Sequence, residues 1–215
     1  MSRCIGIMGE SGSGKTTSMR NLDPKTTFYI DCDKKGLSWK GWRDQYNVDK
    51  KNYFATDLKE NVANLFDRID KEDMFKHIKV IVVDTLNGIM VSDEVRRMKE
   101  KSYDKWVDLA QCIWELLDHA HELRDDLTII FVCHSQTQKE DDGYTFTRIK
   151  TSGKKLDKLN VETKLTTVLY AVVEDGQYVF KTHANKSTAK TPLGAFPEDS
   201  VPNDIVAVLE VLKDY

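Results

Sequence analysis

The sequence predicts an α/β fold, with a mostly parallel central sheet flanked by helices and antiparallel strands at its carboxy-terminal edge. Short apolar runs alternate with segments whose apolar residues recur every three or four positions, which is the pattern of strands alternating with helices. In the last third of the chain, two Asp-Gly pairs lie between β-rich flanks, as they do in hairpins. We expect one domain over residues 1–215, because a chain of this length can bury a continuous core.

The first predicted strand, residues 4–8, leads directly into a glycine-rich segment. Residues 9–16 read Gly-Glu-Ser-Gly-Ser-Gly-Lys-Thr and match the pattern G-x-x-x-x-G-K-[ST] of a phosphate loop. The glycines let backbone N–H groups surround an anion, Lys15 supplies positive charge to the β- and γ-phosphates, and the Thr16 hydroxyl suits Mg²⁺. Residues 17–22 predict the short helix that should follow. The alternative, a Gly/Ser-rich linker, would not be preceded by a buried strand.

The motif therefore predicts a site for a nucleoside triphosphate, with ATP and Mg²⁺ as the expected ligands. The residues expected to contact the nucleotide are Gly9, Glu10, Ser11, Gly12, Ser13, Gly14, Lys15, Thr16 and Thr17.

The middle of the chain predicts three further strands and two crossover helices. The strands are residues 27–31, 80–84 and 127–133, and the helices are residues 59–73 and 104–123. Residues 34–58 are rich in lysine, glycine and aromatic residues and predict no clear element. The strand 80–84 ends at Asp84, whose carboxylate is in position to hold Mg²⁺ beside the phosphates, with Thr16. The alternative is an incidental acid at a strand end.

The carboxy-terminal part predicts two hairpins and a helix. One hairpin spans residues 136–149 with its turn at Asp142-Gly143, and the other joins residues 163–173 to 178–182 through Asp175-Gly176. Residues 202–212 have the apolar periodicity of a short helix that begins at Pro202.

Composition excludes several classes of protein. The four cysteines have no C-x-x-C spacing and lie in apolar segments, so we expect buried thiols in a reducing compartment and no thiolate metal site. No stretch has the length of a membrane span, and the first residues lack the apolar core of a signal peptide, so we expect a cytoplasmic protein without membrane contact. The net charge is −3, yet residues 148–190 carry nine Lys or Arg and four acidic residues.

Four segments in a fixed order resemble the RecA-type recombination ATPases over about residues 3–135. They are Gly14-Lys15-Thr16-Thr17, Ile30-Asp31-Cys32-Asp33, the run 80–85 ending in Asp84-Thr85, and the run 129–134 ending in His134. A compact, core-only set of phage recombination and single-strand-annealing ATPases is more similar still. It too has His at the sensor position, and it lacks the amino-terminal polymerisation arm.

The resemblance implies a RecA-like P-loop NTPase core and a catalytic set of Lys15, Asp33, Asp84 and His134. Asp33 would polarise the attacking water, and His134 would sense the γ-phosphate. The family usually has Glu in place of Asp33 and Gln in place of His134, so the chain departs from the family at both positions. From the residues alone, Asp33 could instead cap the loop after its strand, and His134 could be a hydrogen-bonded histidine at a strand end.

The resemblance also implies that single-stranded DNA binds the segment after the sensor. The candidate residues are Lys150, Lys154, Lys155 and Lys158, with Lys181, Lys186 and Lys190 nearby. A solvated basic face is the alternative. Trp39, Trp42 and Tyr46 could stack on unpaired bases or pack a helix onto the core. Further implied features are a homo-oligomer, as a ring or filament on DNA, a single-strand-binding protein as partner, and the cytoplasm of a phage host.

Three functions follow from these patterns. The first is a DNA-stimulated ATPase of recombination or single-strand annealing. The second is a small-molecule or nucleotide kinase, which needs an arginine-rich lid, although Arg96 and Arg97 are the one adjacent arginine pair in the sequence. The third is a nucleotide-dependent switch that binds a protein partner without hydrolysis.

Overall fold

The computed structural model of the protein describes residues 1–101, 104–139, 143–151 and 160–215. The strands in these residues are β1 (Arg3–Gly9), β2 (Thr27–Asp31), β3 (Tyr53–Ala55), β4 (Val80–Asp84), β5 (Thr128–Lys139), β6 (Thr145–Ile149), β7 (Thr167–Glu174), β8 (Gln177–Lys181) and β9 (Ser200–Pro202). The helices are α1 (Trp42–Gln45), α2 (Lys59–Lys71), α3 (Leu86–Arg96), α4 (Asp104–Glu122) and α5 (Ile205–Leu212), with short 3₁₀ turns at Thr17–Met19, Asp73–Phe75 and Val161–Lys164.

The sheet has the predicted organisation. Its strand order is β3-β2-β4-β5-β1-β7-β8-β9, with parallel pairing from β3 to β7 and antiparallel pairing of β7 with β8 and of β8 with β9. Strand β6 pairs antiparallel with the far half of β5. The predicted α/β class, the mostly parallel sheet and its antiparallel carboxy-terminal edge are confirmed.

The strand order brings the sequence motifs to one edge of the sheet. Strand β5 lies between β1 and β4, and it pairs Gly9 with His134 and Asp84 with Val132. Because parallel strands end at the same edge, the ends of β1, β2, β4 and the parallel part of β5 meet there. The phosphate loop and the strand-end acids are therefore neighbours in space.

Apolar side chains fill both faces of the sheet. Alternate residues of β5 point to opposite faces, with Ile129, Phe131 and Cys133 in one cluster and Ile130 and Val132 in the other. The first cluster includes buried residues of α2, α3 and α4, and the second includes buried residues of α5 and of the aromatic segment around Tyr46. Burial on both faces explains why these strands are continuous apolar runs.

The terminal helix starts later than the sequence predicts. Helix α5 begins at Ile205, where the Asp204 side chain accepts a hydrogen bond from the Val206 N–H at 3.0 Å, whereas Pro202 belongs to β9 and is paired with Val179. An aspartate N-cap fixes a helix start more strongly than a proline two residues earlier, which is compatible with an edge strand. The prediction of a helix beginning at Pro202 was wrong.

Other differences lie where periodicity is weak. Helix α3, which was not predicted, begins after Thr85, whose hydroxyl accepts a hydrogen bond from the Gly88 N–H at 3.0 Å. Strand β5 continues to Lys139 as a polar extension paired with β6, beyond the apolar run that ends at Cys133. The helix predicted over residues 17–22 is a 3₁₀ turn at Thr17–Met19. Residues 34–58 contain α1 and β3.

The aromatic residues of this segment pack into the core. Tyr46 is fully buried, and its ring contacts Tyr29 and Trp39 edge to face, with centroids 5.6 and 6.1 Å apart. Trp42 also packs against the core. Of the two predicted roles of these residues, stacking on unpaired bases or packing onto the core, the structure supports core packing.

Two predictions from composition can be compared with the structure. All four cysteines are buried and free, as predicted. No helix in the described ranges is long and apolar enough to cross a membrane.

Candidate nucleotide-binding site

The phosphate loop, residues 9–16, has the backbone that its glycines predict. Gly12 and Gly14 have φ angles of +82° and +88°, in the left-handed region that residues with a Cβ rarely adopt. The chain then turns into the 3₁₀ segment, where the Ser18 N–H donates to the Gly14 carbonyl at 2.9 Å. The loop therefore runs directly from a buried strand into a helical turn, as the motif requires.

The Lys15 side chain folds back onto the start of this loop. Its side chain is buried, and Nζ donates to the carbonyl oxygens of Gly9 at 2.9 Å and Glu10 at 2.6 Å. Burial lowers the pKa of Lys15, and the nearby Asp84 carboxylate partly opposes this effect. The ammonium group is thus positioned beside the loop in a partly desolvated setting, where its interaction with a phosphate is stronger than in water.

Asp84 is the buried acid at the centre of the site. Its Oδ2 accepts hydrogen bonds from Thr16 Oγ1 at 2.7 Å and from the Tyr29 hydroxyl at 2.6 Å, while Oδ1 accepts none from any residue that the structure describes. Burial raises the pKa of Asp84, and the two hydrogen bonds act against that rise. Tyr29, which the sequence analysis did not identify, fixes the orientation of the carboxylate.

The chemistry of this pair fits Mg²⁺. A hydroxyl and a carboxylate are hard oxygen ligands, and the unpartnered Oδ1 of Asp84 is a buried polar atom that a cation would satisfy. In the described part of the chain, no group of three His, Cys, Asp or Glu could hold a metal ion without other ligands. Since Mg²⁺ usually combines one or two carboxylates with substrate phosphates and water, Thr16 and Asp84 are the residues that would hold it.

Asp33 lies beside Asp84, two residues beyond the end of β2. Its Oδ1 accepts a hydrogen bond from Thr85 Oγ1 at 2.9 Å, and its Oδ2 pairs with Lys35 Nζ at 2.5 Å. In the same loop, Asp31 accepts a hydrogen bond from the Gly36 N–H at 2.7 Å. Asp33 thus contacts both its own loop, at Lys35, and the residue that follows β4, at Thr85.

Lys35 is a second cation in the site that the sequence analysis missed. Burial lowers its pKa, but the hydrogen bond and charge of Asp33 outweigh that effect, so the net shift is upward. The side chain lines the same cleft as Lys15. A single lysine in a lysine-rich loop has no distinctive sequence pattern, because its contribution to the site depends on where the folded loop places it.

His134 occupies the end of the parallel part of β5. Its backbone N–H donates to Asn87 Oδ1 at 2.7 Å, and its carbonyl accepts from the Lys150 N–H at 2.7 Å. Partial burial, with a smaller effect of Lys15, lowers the pKa of the imidazole. His134 is among the residues that line the cleft together with Lys15 and Thr16.

Asn87 links His134 to the chain after β6. The Asn87 side chain is buried, and its Nδ2 donates to the Lys150 carbonyl at 2.8 Å while its Oδ1 accepts from His134. We call residues 135–139 of β5 together with β6 the β5–β6 ribbon. Both strands of this ribbon are therefore fastened at its base to the first turn of α3, three residues beyond Asp84.

A cleft of about 730 Å³ is lined by the phosphate loop together with Lys35, Thr85 and His134, and we call this part its phosphate end. Asp84 and Asp33 adjoin the lining through their contacts with Thr16 and Lys35. The volume lies within the range of small-molecule sites, roughly 300–1,000 Å³. Further lining residues come from the turn after the loop, from β8 and from the segment before α5, namely Arg20, Gln177, Tyr178, Pro202, Asn203 and Asp204. A smaller cleft of about 430 Å³, which includes Asp33, Asn87 and Asp57, meets the first at Lys35 and His134.

The predicted DNA-binding residues are only partly described. Lys150 is exposed and follows β6, whereas Lys154, Lys155 and Lys158 lie outside the described residues. Lys181 pairs with Glu174 at 2.6 Å, and burial lowers the pKa of Lys190. Lys186 lies beside β6, where its carbonyl accepts from the Thr147 N–H at 2.8 Å. Lys181 and Lys190 are thus less available to a phosphate than Lys150 and Lys186.

Comparison with known proteins gives one family. A model described as an AAA domain matches residues 1–193 of the chain. None of the curated proteins that were searched matches the chain. The matched residues include the phosphate loop, Asp33, Asp84 and His134, and end before β9, Asn203 and α5.

Proposed function

The chain belongs to the AAA domain family of P-loop ATPases, and from that premise we propose that it hydrolyses ATP with Mg²⁺ and acts on single-stranded DNA in recombination or strand annealing. The observation that carries the ATPase part is the contact between the Thr16 hydroxyl and the buried Asp84 carboxylate, 2.7 Å apart, beside Lys15. This contact joins the phosphate loop to the acid at the end of β4, and Thr16 lines the cleft.

The binding step uses the phosphate loop. Its backbone N–H groups and the Lys15 ammonium would bind the β- and γ-phosphates, and Thr16 and Asp84 would hold Mg²⁺. When bound, Mg²⁺ neutralises charge that develops on the phosphates during hydrolysis. Tyr29 keeps the Asp84 carboxylate in one orientation through its 2.6 Å hydrogen bond, which reduces the reorganisation required at the reacting centre.

The hydrolytic step is assigned to Asp33. Thr85 Oγ1 donates to Asp33 Oδ1 and accepts from the Gly88 N–H, so the carboxylate is oriented by a hydroxyl whose own position is fixed. Such a carboxylate can orient and polarise the attacking water. Lys35, paired with the other oxygen of Asp33, lines the cleft and adds positive charge at the γ-phosphate end. Burial lowers the pKa of His134, which favours the neutral imidazole, and a neutral imidazole can donate one hydrogen bond to the γ-phosphate.

Action on DNA is supported by the ribbon and its base. The His134 N–H donates to Asn87, and the His134 carbonyl accepts from the Lys150 N–H, so His134 is tied to both strands at the base of the β5–β6 ribbon. At the far end of the ribbon, the rings of Tyr144 and Phe146 stack with centroids 6.3 Å apart, and Tyr144 is exposed. Exposed aromatic rings and lysines are the groups that bind unpaired nucleic acid.

Assembly is the remaining part of the proposal. A ring or filament of subunits on DNA, a single-strand-binding protein as partner, and a phage origin with action in the host cytoplasm rest on the family resemblance described above. Subunits assembled along a strand would bring a neighbour's lysines close to the bound ATP.

Measurement of phosphate release from ATP and Mg²⁺, with and without single-stranded DNA, tests the proposal. We expect turnover that rises when the DNA is added. Release that is equal in both conditions would remove the DNA part and retain the ATPase. Nucleotide binding without any release would favour the switch instead.

The second cleft favours one other function, phosphoryl transfer to a small acceptor. This cleft meets the nucleotide cleft at Lys35 and His134, and Asp33 lies on its wall, where it could deprotonate an acceptor hydroxyl. Arg20 is the arginine that lines the nucleotide cleft in the described residues, and it is bonded to the Thr17 and Asn203 carbonyls. If the protein is a kinase, the phosphate-release assay should show ATP keeping its γ-phosphate until an acceptor is supplied.

A further inference from the structure

Beside the phosphate loop, the cleft has a polar surface formed by residues from the carboxy-terminal part of the chain. We call Tyr178, Pro202, Asn203 and Asp204 the carboxy-terminal wall. Three of these four residues follow the last residue matched by the family model. Their arrangement is therefore a property of this chain that the family match does not assign.

Asn203 is the buried polar residue of this wall. Its side chain is 6% exposed and lines the cleft, and its Nδ2 has no hydrogen-bond partner within the described ranges. A buried amide donor without a partner destabilises the folded protein, because it has lost its hydrogen bonds to water. A ligand acceptor in the cleft would remove that cost.

The backbone of Asn203 is fixed from both sides. Its N–H donates to the Tyr178 carbonyl at 3.3 Å, and its carbonyl accepts from Arg20 at 3.0 Å. Arg20 also donates to the Thr17 carbonyl at 3.1 Å, which ties the wall to the residue after the phosphate loop. The amide is thus placed before any ligand arrives, which reduces the entropy lost on binding.

Tyr178 adds an aromatic surface next to this amide. A Cβ on Gly14 would lie 2.8 Å from Cδ1 of Tyr178 and 3.1 Å from Oδ1 of Asn203, so the ring edge and the amide both border the loop at Gly14. The Tyr178 side chain is nevertheless 53% exposed. An aromatic ring that is anchored at one edge and open elsewhere is suited to stacking on a base.

From this arrangement we propose that the carboxy-terminal wall binds the nucleoside of the nucleotide, with Tyr178 stacked on the base and Asn203 selecting adenine over guanine. Lys15, Thr16 and Asp84 are assigned to the β- and γ-phosphates and Mg²⁺, so the nucleoside would lie toward Gly14 and Thr17, where the wall and Arg20 border the loop. An Asn amide pairs a donor with an acceptor, which matches N7 and the N6 amino group of adenine. Guanine presents two acceptors at the same edge. This inference rests on the proposed nucleotide function.

A competition assay on the full chain tests the wall. A fluorescent ATP analogue bound with Mg²⁺ is displaced by ATP, by GTP or by inorganic tripolyphosphate, which has no nucleoside. Tyr178→Ala should weaken ATP and GTP about 10-fold through lost stacking and leave tripolyphosphate unchanged. Tyr178→Phe should restore the affinity. Tyr215→Ala, at a tyrosine that is 56% exposed at the end of the chain, is the matched control and should change nothing.

Asn203→Leu tests the selection of the base. It should weaken ATP by roughly 5-fold to 10-fold and GTP by less, so that the preference for ATP falls. If a melting curve shows that this variant is unfolded, Asn203→Ser replaces it. An equal loss for ATP and GTP would overturn the role of Asn203.

The remaining outcomes separate the wall from the phosphate site. If tripolyphosphate binding falls as much as ATP binding in Tyr178→Ala, the wall supports the loop and does not hold the nucleoside. If wild-type protein binds tripolyphosphate as tightly as ATP, the nucleoside adds nothing and this inference fails while the phosphate site stands. If none of the three competitors binds, the proposed function fails with it.

Discussion

The phosphate end of the cleft and the β5–β6 ribbon both extend from the carboxyl edge of the parallel sheet, yet they are held in different ways. Lys15 and Asp84 are buried and make short hydrogen bonds to residues of the core. The ribbon is fastened at its base, through His134 and Asn87, while Tyr144 and Lys139 farther along it are exposed. The first region has the rigidity that the proposed hydrolysis requires, and the second has an exposed surface of the kind that a large partner such as DNA would require.

This difference predicts where substitutions act. A change at the phosphate end removes charge or a ligand from a desolvated site and should be large. A change in the ribbon or after it alters a solvated surface, and its effect should be smaller and dependent on salt.

Loss of Lys15 is expected to have the largest effect. Lys15→Ala removes the ammonium that binds the β- and γ-phosphates, and turnover should fall by about 10²–10³-fold, the range found when a preorganised charge-stabilising donor is removed. The measurement is phosphate release at saturating ATP. Lys25→Ala, at an exposed lysine outside the cleft, is the control. Normal hydrolysis by Lys15→Ala would contradict the assignment of the whole phosphate end.

Asp33→Asn should lower kcat while ATP binding is retained. The substitution keeps the shape of the side chain but removes the carboxylate charge that polarises water, a contribution of about 10²-fold or more. Single-turnover hydrolysis and equilibrium ATP binding are measured on the same preparation. Asp44→Asn, at an exposed aspartate on α1, is the matched control. A variant that loses ATP affinity but hydrolyses at the normal maximal rate would exclude this role for Asp33.

The parts of the site that could be predicted from sequence are those encoded by local order along the chain. The phosphate loop needs adjacent residues with fixed backbone geometry, and Asp84 ends an uninterrupted apolar run, so each leaves a contiguous pattern. The parallel pairing of the strands could be anticipated, because helices alternate with strands along the sequence.

The remaining parts of the site depend on contacts between distant segments. Tyr29 reads as an ordinary strand aromatic until β2 and β4 pair and direct its hydroxyl to Asp84, 55 positions away. Asn203 joins the site only when β8 and the segment after β9 pack against Gly14. Asn87 lies in a helix whose periodicity was too weak to predict. The order of strands, and not any local pattern, brings these residues to the site.

His134→Ala should sharpen the comparison, because this residue belongs to both regions. His134 lines the cleft and directly precedes the ribbon. His134→Ala should therefore reduce the effect of ATP on DNA affinity by about 10-fold, and this loss should exceed the loss of ATP affinity. DNA binding is measured with and without a non-hydrolysable ATP analogue. His183→Ala, at a histidine paired with Asp199 at 3.1 Å outside the cleft, is the control. The same ATP response in His134→Ala and wild type would show that the imidazole is not a sensor.

The smallest expected effect lies in the basic segment after the ribbon. Each lysine that neutralises a DNA phosphate releases counterions and contributes about −0.7 to the slope of log affinity against log salt for a single strand. If Lys154 and Lys155 both contact the strand, the double replacement by Ala should therefore flatten the slope by roughly 1.4 and weaken binding regardless of DNA sequence. The measurement is a titration of a labelled single strand at several salt concentrations.

The control is a double replacement of equal charge at Lys99 and Lys101, which are exposed and precede α4. Since the net charge changes equally in both pairs, a loss confined to the first pair identifies contacts and not a general field. If the two double variants give the same slope as wild type, the segment is a solvated basic face, and the DNA surface must be sought on the ribbon and the residues that flank β6, at Phe146, Tyr144 and Lys150.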